Sequence, residues 1–85
     1  MRTEFVQFNN GVKLAYSPVQ EPDAHIIIYC TQEKDDVEKN AEFRFPDATL
    51  LNNEGFSEGE LMMIQQQVNR IGKLALMQAR DEADI

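Results

Sequence analysis

The chain has one cysteine, one histidine, and eight Lys or Arg against fifteen Asp or Glu. Each shortage excludes something. With Cys30 alone, no intramolecular disulfide forms, which fits a reducing interior and a cytoplasmic protein. With His25 and Cys30 as the only residues of their kinds, no His/Cys set for a transition metal can be assembled. The two stand five apart in one strand-like segment and so point to opposite faces, which makes a nucleophile–base dyad unexpected. Asp35, Asp36 and Glu38 lack the spacing and the glycine of an EF-hand loop. Neither Asn10-Gly11 nor Glu54-Gly55 belongs to a strand–glycine-rich loop–helix unit that cradles phosphate. No pair of carboxylates stands apart from the other acids. The expectation is a non-enzymatic protein with no catalytic residue, no cofactor and no metal site.

No apolar run is long enough to span a membrane. The opening Met1-Arg2-Thr3-Glu4 passes straight into strand-like sequence, so neither a leader peptide nor a membrane partner is expected. A length of 85 residues allows one domain, 1–85, and a monomer of that size is only marginally stable. There is no internal repeat and no low-complexity segment.

The scarce cations are unevenly spread. The net charge of −7 argues against a generally nucleic-acid-binding surface. Yet residues 61–80 hold Arg70, Lys73 and Arg80 and no acid, so this stretch carries +3 and the rest of the chain −10. Cations late in a helix also complement its dipole, which needs no binding partner.

The clearest element is a helix over residues 57–80. Ser57 and Glu60 have the spacing of a capping box. Leu61, Ile64, Val68, Ile71 and Ala75 recur at steps of three and four and share one face. Met63, Leu74 and Met77 form a second apolar strip beside it, with Met62 and Leu76 on the other flank. The polar positions Gln66, Asn69, Arg70, Lys73 and Arg80 then fit within an arc of about 100°. Residues 81–85 place acids at the negative end of the helix and are expected to fray. An apolar arc this wide on so short a chain predicts a homo-oligomer, with Met63, Leu74 and Met77 at the interface or an edge strand paired between copies. A dimer is the ordinary closed form, and a ring is open if strand edges pair.

Ahead of the helix lie four or five short strands, within residues 4–51. Residues 4–17 read as a hairpin turning at Asn9-Asn10-Gly11. A three-residue loop pairs Phe8 with Val12 and Val6 with Leu14, and puts Gly11 at the left-handed position. Val6, Phe8, Val12, Leu14 and Tyr16 then share one face, with Phe5, Gln7, Lys13 and Ala15 on the other. Pro18 and Pro22 mark a loop. Residues 24–32 are apolar on both faces, as in an interior strand or an edge strand covered by a partner. Residues 33–40 are charged and read as a solvated turn. Ala41, Phe43 and Phe45 alternate with Glu42 and Arg44 as a half-buried strand. Pro46-Asp47 makes a turn, 48–51 a short fifth strand, and 52–56 the loop into the helix, with Phe56 placed to staple back near Leu61. The expected core is Val6, Phe8, Leu14, Ile26, Ile28, Phe43, Phe45, Leu61, Ile64, Val68 and Ile71.

The fold class is therefore α+β: an antiparallel meander, as a bent sheet or small barrel, with one long C-terminal helix. In inventory it resembles the Sm-like proteins, which form rings and bind RNA. Phe8-Asn9-Asn10-Gly11-Val12-Lys13-Leu14 looks like that family's second short motif, an apolar residue, a basic–glycine pair and valine. Asn10 stands where the family has a basic residue, the echo lies early in the chain, and the family's helix is N-terminal. The resemblance covers about seven residues and implies an architecture, not a set of binding residues. The sheet with a C-terminal helix also resembles small bacterial antitoxin-like proteins. Two functional expectations follow. One is a homo-oligomer that gathers Lys13, Arg44, Arg70, Lys73 and Arg80 into a patch for RNA or single-stranded DNA. The other is an acidic protein–protein module, antitoxin-like or a phage accessory subunit, facing a basic partner. Fold analogy and the basic helix stripe favour the first, the acidic balance the second.

Overall fold

The computed structural model describes residues 3–8, 11–20 and 23–83. Among them run strands β1 (Thr3–Gln7), β2 (Lys13–Tyr16), β3 (Ile26–Lys34), β4 (Val37–Phe45) and β5 (Thr49–Glu54), then helix α1 (Glu58–Ala83). The strands form one antiparallel sheet in the order β1-β2-β3-β4-β5. β1 and β5 are open edges, so of the two expected forms the bent sheet is found and the closed barrel is not. Met1, Arg2, Asn9 and Asn10 of the first hairpin, Glu21 and Pro22 of the following loop, and Asp84 and Ile85 of the tail lie outside the described residues.

The first hairpin has the expected register. Val6 pairs with Leu14, and Phe8 N–H donates to the Val12 carbonyl at 2.8 Å. Gly11 has φ +89°, a left-handed conformation that costs glycine nothing. Val12, Leu14 and Tyr16 are buried, while Val6 and Phe8 are half-buried at the edge. Phe5 departs from the expected face. The ladder shifts between Glu4 and Val6, and this bulge turns Phe5 inward, edge-on to the Tyr16 ring at 5.9 Å.

β3 is the interior strand, between β2 and β4, and Ile26, Ile28 and Cys30 are wholly buried. The charged stretch after it is a correction. Residues 33–40 are not a solvated turn. Glu33 and Lys34 extend β3, residues 37–40 begin β4, and only Asp35 and Asp36 turn. Both have positive φ, 54° and 64°, the backbone of a two-residue type I′ hairpin. Residues 33–38 are all exposed, so no apolar alternation marks this end of the hairpin. β5 reaches Glu54, three residues beyond the expected 48–51, and all six of its residues are exposed.

α1 lies on the face that carries Leu14, Tyr16, Ile28, Cys30, Ala41, Phe43 and Phe45. At 1.5 Å per residue its 26 residues span about 39 Å, which sets the 40 Å long axis of the molecule. The buried helix side is Ile64, Val68, Gly72, Ala75 and Ala79, with Leu61 and Ile71 half-buried. No helix among the described residues is long and apolar enough to cross a membrane.

Candidate interaction surface on the outer face of the helix

Local chemistry fixes where α1 begins. Ser57 Oγ accepts from Glu60 N–H at 3.2 Å, and Glu60 Oε1 accepts from Ser57 N–H at 2.9 Å, which closes the capping box. Lys39 on β4 donates to the same carboxylate at 3.1 and 3.2 Å, so Glu60 both caps the helix and moors it to the sheet. The Ser57 N–H and then the Lys39 ammonium hold the Glu60 carboxyl below its ordinary pKa. Further along, Gln65 Nε2 donates to the Ala48 carbonyl at 3.2 Å.

The helix then comes very close to the sheet. A methyl group added at Gly72 would stand 2.5 Å from Cε2 of Phe45. Ala75 and Ala79, each 2% exposed, continue this short-side-chain strip. At the far end Tyr16 O–H donates to Glu82 Oε1 at 2.5 Å. Burial of the phenol first, and then this bond to a carboxylate, push the Tyr16 pKa up. The tie holds the last turn in place. The expected end at residue 80 is therefore too early, and 81–83 are helical.

With its inner face committed, α1 presents its outer face to water. Met62 and Met63 are each 64% exposed, Met77 60% and Leu74 56%. At 3.6 residues per turn, Arg70, Lys73 and Arg80 interleave with them on the same side. All three cations are exposed, and among the described residues none is in an ion pair. The expected interface residues Met63, Leu74 and Met77 thus share one surface with the expected cation stripe. The sequence pattern puts Met62 on the opposite flank with Leu76. In the structure Leu76 is half-buried against the core and Met62 joins the outer face.

Lys13 and Arg44 lie elsewhere. Strand alternation puts both on the sheet face turned away from α1. Lys13 is exposed and pairs in register with Thr31. Arg44 bonds to Asp23 and to Asp47, so two carboxylates flank it. Within one copy the five candidate cations therefore divide into two on the outer sheet face and three on the helix.

An open groove of about 620 Å³ lies between the first turn and the projecting β3–β4 hairpin, with Lys13 and Lys34 set among Glu33, Asp35, Asp36 and Glu38. Among the described residues no group of three or more His, Cys, Asp or Glu is placed to hold a metal ion. Cys30 sits in the core, where burial pushes its thiol pKa up to about 12 and keeps it a poor nucleophile. His25 lies just before β3, with Nδ1 at 2.5 Å from Asp23 Oδ1. Thiol and imidazole stand five residues apart on extended backbone, roughly 16 Å. Comparison with known protein families, with characterised proteins and with solved structures finds no match.

Proposed function

We propose that this protein is a non-enzymatic, cytoplasmic interaction module that self-associates, and that its working surface is the outer face of α1. One observation carries the reading: four large apolar side chains, each more than half exposed, share that face with three cations. Each such side chain left in water forgoes roughly 1.5–3 kcal/mol, and soluble monomers seldom carry such groups together. Two of the five cations expected to form a nucleic-acid patch lie across the sheet, and one of those is flanked by aspartates, so a protein surface is the better-supported occupant. Light scattering across a micromolar dilution series tests it. A mass that rises with concentration, in the wild type and not when Leu74 and Met77 are made polar, supports the reading. A monomer at every concentration removes the self-association.

A second reading keeps the acid-free stripe of Arg70, Lys73 and Arg80 as a contact for single-stranded nucleic acid. Three phosphate contacts give a log–log salt slope of about −2 per copy on a single strand. Titration of a fluorescent oligonucleotide at two salt concentrations decides it. Binding that weakens with that slope, and that is lost in Arg70→Ala/Lys73→Ala, favours this reading over the first.

A further inference from the structure

We infer that two copies of this chain pair antiparallel along α1 through the seam Arg70–Leu74–Met77–Asp81. The inference rests on the outer face of α1 being the working surface, and adds the occupant and the register. The four side chains follow at steps of four, three and four, the spacing of a two-helix seam, and fall within an arc of roughly 60°. All four are exposed. They point away from Ile64, Val68 and Ala75, so a second helix laid on them meets no strand.

Read from the N-terminal end, the seam is cation, apolar, apolar, anion. Reversed, it reads anion, apolar, apolar, cation. An antiparallel partner therefore sets Arg70 of each copy against Asp81 of the other, and Leu74 of each against Met77 of the other. A parallel partner sets Arg70 on Arg70 and Asp81 on Asp81. The pattern is self-complementary in one direction only, and the contact is closed by a two-fold axis. Neither Arg70 nor Asp81 has an ion pair within its own copy among the described residues. The apolar pairs supply the attraction and the charges choose direction and register. Met63 lies two turns before Arg70, outside the overlap. Lys73 and Arg80 fall on one flank, where Lys73 of one copy comes beside Arg80 of the other. That repulsion is at the solvated rim, where salt screens it.

The test is sedimentation of the full chain over a micromolar concentration range, with Arg70→Asp, Asp81→Arg and the double exchange. Each single substitution places like charges together at both ends of the seam, and weakens association by about tenfold or more. The double exchange restores it to near wild type. Residues 70 and 81 are roughly 16 Å apart on one helix, too far to touch, so restoration reports a contact between copies. It also keeps the test decisive if one single variant fails to fold, which circular dichroism shows. Association equal in wild type, singles and double overturns the seam and leaves self-association standing, as with pairing at the β5 edge. A wild-type chain that stays monomeric throughout overturns both.

Discussion

From Gly72 onward the two faces of α1 differ in residue size, with small residues inside and Leu74 and Met77 outside. Toward the sheet it buries Gly72, Ala75 and Ala79 along with Ile64 and Val68. Toward water it shows Met62, Met63, Leu74 and Met77. A helix that served only its own sheet would gain from the reverse arrangement, since burial rewards apolar area. The small residues serve closeness. They let the helix settle until Gly72 rests on the Phe45 ring. The inner face is thus shaped for tight fit, while the outer face leaves large apolar side chains in water, the feature on which the proposed self-association rests.

Substitutions separate these roles. The largest loss falls on the inner face. Ile64→Ala or Val68→Ala should cost on the order of 2–4 kcal/mol in urea unfolding, through lost burial and the cavity left behind. If either costs less than Ser57→Ala, the helix is not anchored along this strip. Gly72→Ala comes next. Its methyl group meets Phe45, and overpacking of about 1–3 kcal/mol outweighs the roughly 1 kcal/mol of helix propensity that alanine adds. Phe45→Leu in the same chain should recover part of the loss. A Gly72→Ala variant more stable than wild type would mean that helix and sheet are further apart than described.

The helix start is the next step down. Ser57→Ala should cost about 1 kcal/mol. The pH dependence follows from Glu60. Its pKa is lower folded than unfolded, so its contribution is present above the unfolded carboxylate pKa and fades as pH falls through the folded one. The gap in melting temperature between wild type and Glu60→Gln should therefore narrow in acid and hold at neutral pH. A gap independent of pH would detach Glu60 from both Ser57 and Lys39. The smallest effect is expected outside. In dilute solution Leu74→Ser and Met77→Ser should each shift unfolding by no more than about 0.5 kcal/mol, as at exposed sites generally.

Much of this contrast is legible in the residues before any fold is known. The Ser57–Glu60 spacing and the 64–68–75 period announce the helix and its buried side. The need to bury one face selects the Val6–Leu14 register. Other parts leave no such trace. Glu33, Lys34, Val37 and Glu38 are all exposed, so their strand character lies in the Asp35–Asp36 turn and not in hydropathy. Phe5 faces inward through a bulge, which shifts alternation without altering composition. Residues 81–83 stay helical through a tertiary bond from Tyr16, invisible to any rule about helix ends. For the candidate surface, the sequence supplies Met63, Leu74, Met77 and the cation stripe. It could not show that Lys13 and Arg44 lie across the sheet, because that depends on which face the helix covers. Gly72 inside a strong helical period is a readable sign of close packing.

The division of labour between the two faces is tested most directly by one variant, Leu74→Ser/Met77→Ser, measured for mass and for melting in the same samples. At low concentration it should melt within a few degrees of wild type, and at high micromolar concentration it should stay monomeric where wild type gains mass. A variant that loses several kcal/mol of stability while its mass follows wild type would show that the outer face serves the fold and not a partner.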